Sequence, residues 1–404
     1  MKSAIFLIAA IIQLSMLSYC TSESDIKLLL SEITDLTLSE DGKLNFIQLV
    51  TKYGHTAEEY EVTTEDGYLL KVFHIPGNRS SILLTHGLAT DADPYVIRGH
   101  GSLGIALADK GYNVWLLNNR GTKFSRRHTE LDPDKDKKFW DFSFHEMGYY
   151  DLAATIDFVL NQTGEKKIFA IGHSQGASQF FALTSLRPEY NDKVKLFLAL
   201  APGVYFFNMP PLFRVIADAG PLLLELLKTL GIEELCRDRG ALLNLIKTIC
   251  TKGIVSYEVC VKGVIFPFFG YNPAGFELSF LRTLFGHAPS GFSRKCLKHF
   301  DQLYLRKKFS QFDYGDHENL SKYGLSNPPD YDLSKVTANV ALMAGKNDTL
   351  ILVNNLKLLK EMLPNVVHFE EIEETNHIDF VLSGEAYKYM FRSIFSLLQN
   401  YGLS

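Results

Sequence analysis

A serine lies between two glycines in Gly172-His173-Ser174-Gln175-Gly176. This is a G-x-S-x-G pattern, which marks a nucleophile when a strand precedes it and a helix follows. Here "KKIFAI" reads as an apolar strand and "ASQFFAL" as a helix start. The glycines have a steric reason, since side chains beside a strained turn would strike the adjoining strand and helix. The competing reading of Ser174 is an ordinary turn serine.

A hydroxyl nucleophile needs a base, and the base needs an orienting acid. In this topology they follow in the order Ser, Asp or Glu, His. "VALMAGKNDTLI" puts Asp348 just past one apolar run, and "VVHFEEIEETNHIDF" puts His377 just past the next. Loops at the carboxyl ends of parallel strands are where such sheets assemble sites. His287, His299 and His317 fall in or near an irregular segment, and His368 falls inside a strand run. Asp379 lies two residues beyond His377, while Asp313 and Asp332 follow no strand. Two backbone donors are needed for an oxyanion. The N–H of Gln175 is one, and "LLTHGLATDAD" offers the N–H of Leu88 as the other. Gly87 lets that loop approach the substrate, and His86 reads as a structural residue beneath it. No H-E-x-x-H, zinc-type spacing, G-x-G-x-x-G or P-loop occurs, so no metal and no cofactor is expected.

The elements that must hold these residues can be read from periodicity. A hairpin is expected around Asp66-Gly67. Strands are expected at 81–85, 112–117, 167–171, 195–200, 339–344 and 366–372. Helical patterns cover 103–110, 148–160, 177–186, 353–363 and 386–398. This alternation predicts an α/β fold, a mostly parallel sheet covered on both faces. It stops between about 203 and 326, where apolar clusters such as "PLLLELLKTLGI" and "VIFPFFGY" read as a largely helical insertion. The expected organisation is residues 1–20 as a leader, 21–202 and 327–404 as two parts of one core, and 203–326 as a cap.

Bulk properties exclude some functions. A net charge of −5 over 404 residues leaves no basic footprint for nucleic acid. Met1-Lys2, an apolar run from Ala4 to Leu17 and then Ser18-Tyr19-Cys20 read as a signal peptide cut after Cys20. Cys236, Cys250, Cys260 and Cys296 remain. In an oxidising compartment they allow three pairings. Cys250–Cys260 closes the shortest loop, with Cys236–Cys296 as second pair; four buried thiols are the alternative. The sequons at Asn78, Asn161 and Asn319 fit a secretory route as glycosylation sites. A fourth, at Asn347, adjoins Asp348 and is expected to stay unmodified.

Seven segments together resemble the acid lipase family of gastric, lysosomal and insect secreted lipases. They are "EEYEVTTEDGYLLKVFHIP", "LLTHGLATDAD", "SLGIALADKGYNVWLLNNRGTKFSRRH", "FWDFSFHEMGYYDLAATIDFVL", "IGHSQGAS", "AGKNDTLI" and "TNHIDF". The resemblance runs from about Phe46 to the C-terminus and is sparse within the insertion. It implies an α/β-hydrolase fold with a cap and lid, cleaving neutral-lipid esters without a cofactor. It also implies Ser174, Asp348 and His377 as the triad, Leu88 and Gln175 as oxyanion donors, and a cap disulfide at Cys250–Cys260. Tyr95 and Phe124 stand where the family often has tryptophan, and Cys236 and Cys296 look like additions.

The expected activity is lipase action at an oil–water interface through an acyl-enzyme, with transient contact to a membrane or lipid-droplet surface. The expected location is secreted, with lysosomal delivery as alternative. A short-chain carboxylesterase and a non-catalytic lipid carrier are the rival functions. A carrier would be expected to have lost part of the machinery that is present here.

Overall fold

The computed structural model describes residues 38–237, 241–251 and 256–402. The leader read at 1–20 lies outside them. Eight strands form the main sheet: β1 (Glu58–Thr63), β2 (Leu69–Ile75), β3 (Ser81–Thr85), β4 (Asn113–Leu117), β5 (Ile168–His173), β6 (Val194–Leu200), β9 (Val340–Gly345) and β10 (Val366–Ile372). Their order is β1-β2-β4-β3-β5-β6-β9-β10. The first two strands form an antiparallel hairpin whose Gly67 adopts φ +93°, and β2 meets β4 antiparallel; every later pairing is parallel. Strands β3, β5, β6 and β9 are almost wholly apolar and buried, as expected of strands covered on both faces.

Helices cover each face. Phe46–Lys52, Leu103–Asp109 and Ala386–Gly402 pack on one side around Phe73, Ile82, Leu84 and Ile171. Ala153–Thr163, Gln175–Leu186 and Val353–Met362 pack on the other around Leu83, Trp115, Ala170 and Phe197. The expected alternation of elements is present.

Between β6 and β9 the chain is mainly helical, with Pro211–Thr229, Ala241–Cys250, Tyr257–Ile265, Leu278–His287 and Arg294–Arg306 as its longer segments. A two-residue ribbon pairs β7 (Glu234–Leu235) with β8 (Phe292–Ser293). Cys250 and Cys260 are bonded. Cys236 and Cys296 are not, which corrects the second pairing. The ribbon register sets Cys236 opposite Gly291, whereas Cys296 is buried one helical turn further on, with its sulfur towards the Phe142 carbonyl. Burial pushes the Cys236 thiol up to about 11 and the Cys296 thiol up to about 12. Both are therefore protonated and poorly reactive at neutral pH.

Candidate active site

Four strand ends converge on one spot. Ser174 joins β5 to the Gln175–Leu186 helix with φ 53° and ψ −117°, a conformation outside the usual wells for an L-residue. Close packing enforces it. A Cβ on Gly176 would lie 2.5 Å from the Thr85 carbonyl oxygen, and one on Gly172 would lie 2.8 Å from the Ala177 nitrogen. Asp348 follows β9 and His377 follows β10.

The three side chains form one relay. His377 Nε2 lies 2.9 Å from Ser174 Oγ, and His377 Nδ1 lies 2.8 Å from Asp348 Oδ2. A carboxylate can only accept, so the imidazole donates from Nδ1 and presents Nε2 to the hydroxyl. The other Asp348 oxygen accepts the N–H groups of Leu350 (2.8 Å) and Ile351 (2.7 Å), which fixes its plane. Asp348 and His377 are buried, whereas Ser174 keeps partial exposure. The rejected histidines lie elsewhere. His299 is buried between Ser143 and the Ser310 carbonyl, and His287 between Asp93 and the Asp41 carbonyl.

The His86-Gly87-Leu88 turn after β3 passes beside Ser174. A Cβ on Gly87 would lie 3.3 Å from Ser174 Cβ and 3.1 Å from His173 Nδ1. His86 Nδ1 donates to the Gly87 carbonyl at 2.8 Å, and its Nε2 accepts the Asn119 N–H at 3.1 Å. Burial pushes its pKa down to about 4, against the opposing Gly87 bond, so it stays neutral. Gln175 opens its helix, where an N–H has no intrahelical acceptor. Among the described residues, no group of three His, Cys, Asp or Glu side chains is placed to hold a metal ion.

Three supporting residues escaped the sequence reading. Asn119, from the loop after β4, carries His86. His173, the variable position of the serine motif, donates Nε2–H to the His377 carbonyl at 2.8 Å. Burial pushes the pKa of His173 down to about 3, so it is neutral too. Asn376 braces the base turn, its side-chain oxygen accepting the N–H groups of Ile378 and Asp379. The Asn119 and His173 contacts have no sequence spacing that would announce them, whereas Asn376 bonds backbone only two and three residues on, a local pattern that an asparagine after a strand could have signalled.

Two sequons are exposed at Asn78 and Asn161. Asn319 corrects the expectation for that site. It is fully buried, its amide donates to Asp313 (2.8 Å) and to the Ser326 carbonyl (2.9 Å), and a glycan has no room there. The Asn347 amide likewise donates to the Tyr271 carbonyl at 2.9 Å.

Sheet order and nucleophile turn define an α/β-hydrolase. Residues 81–224 match the family described as "alpha/beta hydrolase fold", and residues 46–99 match a "Partial alpha/beta-hydrolase lipase region". Among solved structures, a putative lipase of Acinetobacter baumannii AYE aligns with TM-score 0.51 at 15% identity, over 87% of this chain and 94% of that one. The chain belongs to the acid lipase family and is a carboxylic ester hydrolase. It is 36% identical to Lipase 1 of Drosophila melanogaster over 89% of this chain and 81% of that protein. It is 33% identical both to the gastric triacylglycerol lipase of Mus musculus and to the human lysosomal acid lipase/cholesteryl ester hydrolase, each over 89% of this chain and 92% of the relative.

Proposed function

We propose that the protein hydrolyses neutral-lipid esters, triacylglycerols or steryl esters, through an acyl-enzyme on Ser174. The observation that carries this is the unbroken Ser174–His377–Asp348 relay at the mouths of the parallel strands. His377 takes the Ser174 proton as Oγ attacks the ester carbonyl, and Asp348 stabilises the imidazolium. The N–H groups of Leu88 and Gln175 receive the oxyanion, each donor lowering the barrier by about 3 kcal/mol. His377 then protonates the leaving alcohol, and water repeats the sequence on the acyl-enzyme.

Residues 203–326 act as the cap in this reading. The Pro211–Thr229 helix carries Leu212, Val215, Leu222, Leu223 and Leu226 on one exposed stripe, with Val215 at 67% and Leu222 at 79% exposure. Unpartnered apolar surface of this kind suits contact with a lipid surface. The names of the gastric and lysosomal relatives support the same substrate class. The Cys250–Cys260 bond and the two exposed sequons support passage through an oxidising secretory compartment, ending in secretion.

The test compares a soluble short-chain ester with an emulsified long-chain triacylglycerol, for the wild type and Ser174→Ala. Emulsion-dependent activity that vanishes in Ser174→Ala is the expected result. Cleavage of the short ester alone would replace lipase with esterase. Folded, lipid-binding protein inert on both substrates would make it a carrier.

A further inference from the structure

The insertion touches the catalytic base directly. Residues 269–272 cross the loops bearing Asp348 and His377, and each makes a hydrogen bond to them. The Phe269 carbonyl accepts the His377 N–H (2.9 Å), and the Gly270 carbonyl accepts from the Asn376 amide (3.0 Å). The Tyr271 carbonyl accepts from the Asn347 amide (2.9 Å), and the Asn272 amide donates to Asp379 Oδ2 (2.8 Å). Gly270 adopts φ +108°, and a side chain there would collide with the Asn347 carbonyl. The Phe269 ring lies nearly parallel to the His377 imidazole, with centroids 6.1 Å apart.

Asp379 joins both sides of this strap. The same Oδ2 that accepts from Asn272 also accepts the Asn376 N–H at 2.6 Å. The turn carrying His377 is thereby tied to the insertion just before and just after the base. Asp379 is buried, and its Oδ1 has no partner among the described residues. Such a carboxyl is costly to bury, and an apolar residue would fill the space more cheaply if packing were its only use. It does not belong to the triad relay. Asp348 and Arg98 are the charged groups acting on it, and Tyr389 also feels its charge. Arg98 repeats the tie from the other side, donating to the Leu382 carbonyl and the Gly275 carbonyl (both 2.7 Å) and pairing with Glu277.

We propose that Asp379 is a positioning residue, fastening the His377 turn to the strap at 269–272 so that the base is aligned while the insertion is docked. This rests on reading Ser174 and His377 as nucleophile and base. Misplacing a reacting group by about 1 Å can cost about 100-fold in rate.

The test is kcat and KM on a soluble short-chain ester for the wild type, Ser174→Ala, Asp379→Ala, Asp379→Asn and Asn272→Ala, with thermal melts of each. A short ester keeps interfacial binding out of the readout. Asp379→Ala is expected to lower kcat about 100-fold with KM within twofold. Asp379→Asn keeps an acceptor oxygen and should recover to within about fivefold of wild type. Asn272→Ala cuts only the insertion's side and should lower kcat about tenfold. Wild-type kcat in Asp379→Ala would overturn the proposal, as would a pure KM effect. Should Asp379→Ala fail to fold, Asn272→Ala decides, and an unchanged kcat there is equally fatal. Activity surviving in Ser174→Ala would overturn the nucleophile assignment and this proposal with it. An inactive Ser174→Ala beside a fully active Asp379→Ala would overturn this proposal alone.

Discussion

Asp348 illustrates how much one side chain is asked to do. One oxygen is fixed by two backbone N–H groups, so only the other is free to hold His377. Asp348→Asn would keep the shape but present an amide that can donate to Nδ1, selecting the wrong tautomer. The expected loss is about 10⁴-fold in kcat with the fold intact, checked by steady-state kinetics beside a melting curve. The grouping of Ser174, Asp348 and His377 was legible in sequence because each follows a strand of the parallel sheet within a few residues and the chemistry admits few residue types. Asn119 and His173 were not, because their work is a hydrogen bond to a residue distant in sequence. Nothing local distinguishes such a histidine or asparagine from one on the surface.

At the scale of elements, the helical turn Phe144–Glu146 and the Arg294–Arg306 helix are joined by a buried charge pair. Lys295 Nζ lies 3.3 Å from Glu146 Oε1 and 3.0 Å from Asp141 Oδ1. Burial is the largest single influence and raises the Glu146 pKa, but the Lys295 charge, His145 and the backbone N–H groups of Ser143 and Glu146 together outweigh it and hold the carboxyl down at about 2. The unfolded carboxyl titrates near 4.5. The stability from this pair is therefore complete above about pH 4.5 and drains away as pH falls towards 2. Lys295→Met should leave Glu146 buried without its cation. It is expected to destabilise the protein by about 3–5 kcal/mol at pH 6 and by much less at pH 3, where Glu146 can take a proton; chemical denaturation at both pH values checks this. The junction could not be read from sequence. Periodicity marks a helix and its apolar stripe, but it does not say which helix another will meet. The same limit explains the cysteines: a short loop favours Cys250–Cys260, while the fate of Cys236 and Cys296 depended on the register of a two-residue ribbon.

For the molecule as a whole, the exposed stripe of the Pro211–Thr229 helix separates two activities. The double variant Leu222→Glu, Leu226→Glu should reduce hydrolysis of emulsified long-chain ester at least tenfold and leave the short soluble ester within twofold, because both leucines face outward. Equal loss on both substrates would show that the stripe serves packing instead. Glycopeptide mapping of protein from a eukaryotic host should find sugar at Asn78 and Asn161 and none at Asn319 or Asn347, whose amides are already committed. The order of residues around the insertion has a further effect, on time. Ser174 is made 203 residues before His377, which at about 5–20 residues per second is a delay of roughly 10–40 s. During that interval the growing chain holds a nucleophile with no base to take its proton. Phe269, whose carbonyl receives the His377 N–H, is also made before the base. The relay is therefore incomplete until the last part of the sheet has been made.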